Sequence, residues 1–196
     1  ALKAFKLGGN SNFGASTDVG FGFKYEADNG FAIASNVVDK NADDNGFFQN
    51  NSVSKWDTQF AYTKDRYHLS LTLSNAQGWT SQLYNATALG ENTATDSMGY
   101  AARAYWMPDE SGTAVPEISV GYDVKVWDDA AVGAVDEAGS WMIGLTWKDI
   151  MRADDRIGIA LSQPLKATSV AGGGDTNEVD DPLLWEAHYS FKYNDY

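Results

Sequence analysis

The chain has 196 residues with a formal net charge of −13, 43% hydrophobic and 13% aromatic residues, 19 glycines, four prolines and no cysteine. Its length and apolar content exclude global disorder and are enough for one folded domain. The absence of cysteine excludes a disulfide framework, a thiolate zinc site and a thiol nucleophile, and the acidic balance argues against a nucleic-acid or polybasic membrane partner. No apolar run approaches the ~18–20 residues of a transmembrane helix, and residues 1–9 lack the apolar stretch of a signal peptide. Transmembrane strands need only ~9–11 alternating residues, so a membrane barrel stays open.

Apolar and polar residues alternate with period two along nine segments, the signature of strands. The predicted strands, in chain order, are 17–26, 31–38, 55–62, 67–75, 98–107, 117–127, 140–148, 156–163 and 185–193 of a single β domain spanning 1–196. Val19, Phe21, Phe23 and Tyr25 alternate with Gly20, Gly22 and Lys24 in the first. Leu69, Leu71 and Leu73 alternate with His68, Ser70 and Thr72 in the fourth, and Ile143, Leu145 and Trp147 with Gly144 and Thr146 in the seventh. Asn29-Gly30 is a strong hairpin signal.

The connections also alternate. Segments 27–30, 63–66, 107–116 and 149–155 read as short turns, and 39–54, 76–97, 128–140 and 164–184 as long loops. A sheet threading a membrane, with tight periplasmic turns and longer extracellular loops, has that pattern. Aromatic residues mark the strand ends: Tyr25, Phe31, Tyr62, Tyr67, Trp106, Trp147 and Tyr193 at the short turns, Trp56, Trp141 and Trp185 at the loops. Two aromatic belts around an aliphatic band are expected at two membrane–water interfaces. Alternation by itself also suits a soluble antiparallel sheet with one face on a core, whose largest side chains would sit mid-strand. The expected fold is therefore an all-β antiparallel transmembrane β-barrel, with about nine strands covered by this chain.

The opposite face is polar or small. Lys24, Asp57, Gln59, His68, Arg103, Asp123, Lys148, Arg156, Glu186, His188 and Lys192 are the candidate pore-lining residues. Lys24, Lys148, Arg156 and Lys192 fall near the short turns, Asp57, Asp123 and Glu186 nearer the loops, with Arg103 between. Opposed charges so placed either set a field in a lumen or pair across strands. The four long segments carry thirteen acids, Asp39, Asp43, Asp44, Glu91, Asp96, Asp128, Asp129, Asp136, Glu137, Asp175, Glu178, Asp180 and Asp181, against Lys40 and Lys166. That net −11 is either a solvated face or a vestibule that enriches cations.

Catalytic and metal motifs are weak. The two histidines, His68 and His188, lie on strands far apart, and no Gly-x-Ser-x-Gly elbow accompanies them. Asn41-x-Asp43-x-Asn45-Gly46 opens like a calcium loop but places Ser52 where a bidentate glutamate is needed. Gly172-Gly173-Gly174 lies in a loop and is no phosphate cradle. Neither an enzymatic activity, a metal nor a cofactor is expected.

The segment Asp181-Pro182-Leu183-Leu184-Trp185-Glu186-Ala187-His188-Tyr189-Ser190-Phe191-Lys192-Tyr193-Asn194-Asp195 resembles the late-barrel segment of cyanobacterial outer-membrane porins of the carbohydrate-selective and iron-uptake group. Trp141–Lys148 with Ile157–Pro164, and Ala101–Trp106 with Ile118–Tyr122, resemble the two preceding hairpins. The resemblance spans residues 13–196. It implies a barrel of about sixteen strands, often a homotrimer in the outer membrane, which passes sugars, iron or ions and is tethered to peptidoglycan by an N-terminal domain. This chain departs from the pattern: it lacks those N-terminal modules, and it stops at Tyr196 rather than on a terminal strand ending in Phe, so the expectation is a partial barrel. The expected function is passive diffusion of small hydrophilic solutes and inorganic ions through a water-filled lumen. The alternative is a surface structural or adhesion barrel whose acidic loops bind divalent cations or a partner.

Overall fold

The computed structural model describes residues 19–40, 42, 49, 53–78, 83, 96–173 and 182–193. They form one antiparallel sheet of nine strands in sequence order: β1 Val19–Glu26, β2 Phe31–Asp39, β3 Ser54–Lys64, β4 Tyr67–Gln77, β5 Ser97–Trp106, β6 Glu117–Trp127, β7 Val135–Lys148, β8 Arg156–Val170 and β9 Leu184–Ser190. Each strand pairs only with its neighbours in sequence. β1 and β9 are therefore the two edges, and the sheet is not closed on itself. The period-two pattern dictates this: every strand offers its ladder on both sides, and short turns return the chain to the adjacent position.

The tightest turn geometry falls where Asn29-Gly30 led us to expect a hairpin. Gly30 has φ +88°, and its backbone runs so close to β3 that a Cβ there would lie 1.9 Å from the Thr63 carbonyl oxygen. The Asn29 side-chain oxygen accepts the Phe31 N–H at 3.1 Å, and Gly30 donates to the Ala27 carbonyl at 3.0 Å.

The β7–β8 turn is organised by two aspartates. The Asp155 carboxylate accepts the N–H groups of Ile150, Met151 and Arg152 at 2.9, 3.0 and 3.0 Å, and the Tyr189 hydroxyl at 3.2 Å. Asp149, in the left-handed region at φ 57°, accepts the Asp154 N–H at 2.7 Å. Burial pushes the Asp155 carboxyl up, but the three backbone donors and Tyr189 outweigh it and hold it below the usual carboxylate range. A depressed folded-state pKa contributes stability above the unfolded value of ~3.9, and that contribution is lost as pH falls through the lowered folded value. Asp155→Asn should therefore lower stability near pH 7 and flatten its decline in acid. Urea midpoints of both proteins from pH 7 to pH 2.5 check this, and parallel curves would contradict it.

Two boundaries differ most from the sequence expectation. β7 begins at Val135 rather than 140, and β8 runs to Val170, past Pro164. The ladder shifts register between Gly139 and Trp141, so Ser140 stands opposite a bulge that takes in Pro164 and Leu165. A bulge leaves one N–H out of the ladder, which is what lets proline sit inside a strand. Segment 128–134 is consequently a short connection, and Asp136, Glu137 and Lys166 lie on strands rather than in loops. Asp39 likewise closes β2 and is fully buried. Of the remaining loop charges, Asp43, Asp44, Glu91, Asp175, Glu178, Asp180 and Asp181 lie outside the described residues, as do Asn41, Asn45, Gly46 and Ser52 of the calcium-like segment.

Candidate functional site: the polar face of the sheet

Cross-strand register decides which side chains share a face, because directly paired residues point the same way. Lys24, Ala34, Gln59, Thr72, Ala101, Asp123 and Ser140 are successive cross-strand partners. So are Thr63, His68, Tyr105, Ser119, Gly144, Ala160 and Glu186. Counting by twos from these rows places Asp57, Arg103, Lys148, Arg156 and His188 on the same side. Ten of the eleven candidate residues thus share one face. The eleventh, Lys192, lies beyond the end of β9 at Ser190 and is exposed.

Burial on the two faces is the reverse of a soluble sheet. The polar face is the shielded one over its middle and loop end, where Asp57 is 3% exposed, Asp123 2% and Ser162 0%, while Lys24, Gln59 and Arg156 of the same face are exposed. On the other face Phe21 is 65% exposed, Leu71 46%, and Phe23, Tyr62, Leu69, Val120, Tyr122, Ile143 and Ile159 are exposed too. No second layer of secondary structure covers that apolar face among the described residues. Monomeric soluble proteins rarely leave so broad a continuous apolar surface in water.

The charges of the polar face are largely paired, which removes the simple separation by depth. Arg103 forks onto Asp123, Nη1 to Oδ1 at 2.6 Å and Nη2 to Oδ2 at 3.1 Å, and the Ser140 hydroxyl donates to Asp123 Oδ2 at 3.1 Å. Lys55 lies 3.6 Å from Asp57. Lys148 pairs with Glu117, and Lys24 with Glu26 at 2.6 Å. The Gln59 amide donates to Thr72 at 3.2 Å, and His68 Nδ1 shares a hydrogen bond with the Thr63 hydroxyl at 2.7 Å. His188 lies over Gly158, where a Cβ would meet its ring at 1.9 Å, so that glycine makes the room the imidazole occupies. His188 Nδ1 is buried without a hydrogen-bond partner among the described residues, and no group of three or more His, Asp or Glu among them is placed to hold a metal ion.

Three residues absent from the sequence reading complete this face. Lys55 and Lys125 are both 5% exposed, and Lys125 also sits 5.3 Å above the Trp127 ring. Glu117 is the carboxylate that takes Lys148. Each stands two positions from, or directly across from, a residue on the polar face, so strand parity alone would have found it. The loop end of the same face is apolar. Trp127, Val135, Ala138, Leu165 and Ala167 cluster there, and Leu83, from the β4–β5 connection, packs into them.

Comparison of the chain with protein-family models, with curated proteins and with solved structures finds no match.

Proposed function

We propose that this sheet is part of an outer-membrane β-barrel, a porin, whose polar face lines a water-filled lumen that lets small hydrophilic solutes and inorganic ions diffuse passively. One observation carries the reading: a single sheet that shields its polar face and exposes its apolar one. In water that arrangement forfeits the hydrophobic stabilisation of about 25 cal/mol per Å2 of apolar surface, whereas in a bilayer it is the favoured one. Among the described residues the edges at β1 and β9 are open, and hydrocarbon does not tolerate unpaired backbone groups, so this reading requires further strands to complete the barrel. The resemblance to cyanobacterial porins supplies the expectations of a homotrimer, of sugar or iron as solutes and of a peptidoglycan tether.

Transport through such a lumen needs no bond chemistry, and we assign the protein no enzymatic activity. Polar groups that stay accessible on this face, such as Lys24, Gln59 and Arg156, replace part of the hydration of a passing solute, and the long loops set the mouth. The apolar cluster of Leu83 and Trp127 favours a second reading, a structural or adhesion barrel with its loop end blocked. Planar-bilayer conductance of the full-length protein separates the two. The porin reading expects discrete ohmic steps, and protein that inserts without conducting supports the blocked barrel.

The channel should prefer cations mildly. Acidic loop charge acts only within a Debye length of ~8 Å in physiological salt, and the paired lumen charges nearly cancel. Reversal potentials across a KCl gradient should show a small cation preference that fades as salt rises. Neutralising Lys24, Arg103, Lys148, Arg156 and Lys192 together should move it further toward cations. A strong anion preference in the unaltered channel at low salt would contradict this assignment.

A further inference from the structure

The apolar face is not uniform. β5 carries alanine at two successive outward positions, Ala102 and Ala104, whereas its neighbours carry Leu69 and Leu71 on β4 and Val120 and Tyr122 on β6. The missing side-chain volume leaves a furrow of about 540 Å3, walled on its far side by Phe31, Phe60 and Tyr62. The lining runs from Phe31 of β2 across to Tyr122 of β6, and over β5, where β4 and β6 stand two strand spacings or ~10 Å apart, the furrow is one hydrocarbon chain wide once its walls are in contact. Its lining is apolar side chain, with Ala61, Ser70, Arg103 and Gly121 of the other face alternating between.

One cation stands at its foot. Lys64 is the last residue of β3, two positions beyond Tyr62 and on the same outer face, hence ~7 Å further toward the short turns. It is exposed and makes no ion pair with another described residue. Its cross-strand neighbours are Tyr67 and, one strand on, Trp106, which place it at the depth where amphipathic rings meet lipid headgroups. A lysine stem along apolar surface with its ammonium at the interface is the snorkelling arrangement.

We infer that this furrow and Lys64 form a binding site for an anionic phospholipid, with one acyl chain lying over Ala102 and Ala104 and the phosphate headgroup held by Lys64. The inference rests on the membrane reading above. Charge complementarity selects the lipid: a furrow by itself would take any acyl chain, but a cation at its headgroup end that makes no ion pair with another described residue favours a negative head. Short turns face the periplasm in barrels of this kind, so the site belongs to the inner, phospholipid leaflet.

Native mass spectrometry of the detergent-solubilised full-length protein tests it, with phosphatidylglycerol and phosphatidylcholine of identical chains supplied in equal amounts. The expected result is preferential retention of phosphatidylglycerol. Lys64→Gln should reduce that preference about fivefold, the value of ~1 kcal/mol for one lysine at an anionic lipid surface. Ala104→Phe should reduce retention of both lipids by filling the furrow. Equal retention of the two lipids by the unaltered protein, or preference unchanged by Lys64→Gln, overturns the site. Carbonate-resistant insertion into pure phosphatidylcholine vesicles is measured in parallel. Protein that inserts but shows no lipid preference defeats the lipid site alone, and protein that does not insert defeats the membrane reading with it.

Discussion

Replacing Leu71 with arginine should destabilise the full-length barrel by ~2–4 kcal/mol, while Ser70→Arg, one residue away on the opposite face, should cost far less. Leu71 lies mid-strand on β4, opposite Phe60 and Ala102, with nearly half of its surface exposed. In water, a charge at so exposed a position would be neutral or would help solubility. In a bilayer the same charge must leave water for hydrocarbon, and the cost is greatest at the midplane. The sign of the effect therefore reports which solvent that face meets. Urea titration of the two variants refolded into lipid vesicles gives the comparison. A Leu71→Arg protein as stable as the unaltered one would place this face outside the lipid.

Asp123→Ala should cost ~1–3 kcal/mol and turn ion preference toward anions. Asp123 accepts both arms of Arg103 and the Ser140 hydroxyl in a site almost closed to solvent. Truncating it strands those donors, and a buried donor without its acceptor bears its desolvation cost in full. It also unmasks the Arg103 charge on the polar face. Arg103→Ala should do the reverse, leaving the carboxylate and favouring cations, and the double variant should be less damaged than the sum of the two singles. A double-mutant cycle read by urea midpoint and by reversal potential measures both consequences. Additive losses would show that the pair is not coupled.

The strand count, the antiparallel order and the two-faced character of the sheet were legible in the sequence, because period two is a local property that each strand carries by itself. Val19 to Tyr25 and Tyr67 to Leu73 need no partner to declare which residues share a side. Strand ends were less legible. Pro164 reads as a stop, yet β8 passes through it, because the bulge that accommodates it requires Ser140 of β7 to stand opposite with no ladder bond to give up. That is a property of a pair of strands and is not written in either one.

The charges of the candidate site divide in the same way. Sequence parity assigned Asp57, Arg103 and Asp123 to one face, but it did not say that Arg103 grips Asp123, since that contact depends on cross-strand register; Lys55 beside Asp57, two positions along the same strand, was within reach of parity. Leu83 is further still from local inference: it reaches the Trp127 cluster from a connection whose path no periodicity encodes. What the sequence determined by itself was an alternating chain with an apolar side and a polar side, a matter of residue order and backbone pleat. Only the tertiary structure decided that the polar side is the shielded one and the apolar side the exposed one. Residue order sets which side chains share a face, whereas which face is covered depends on what all nine strands and their connections do together.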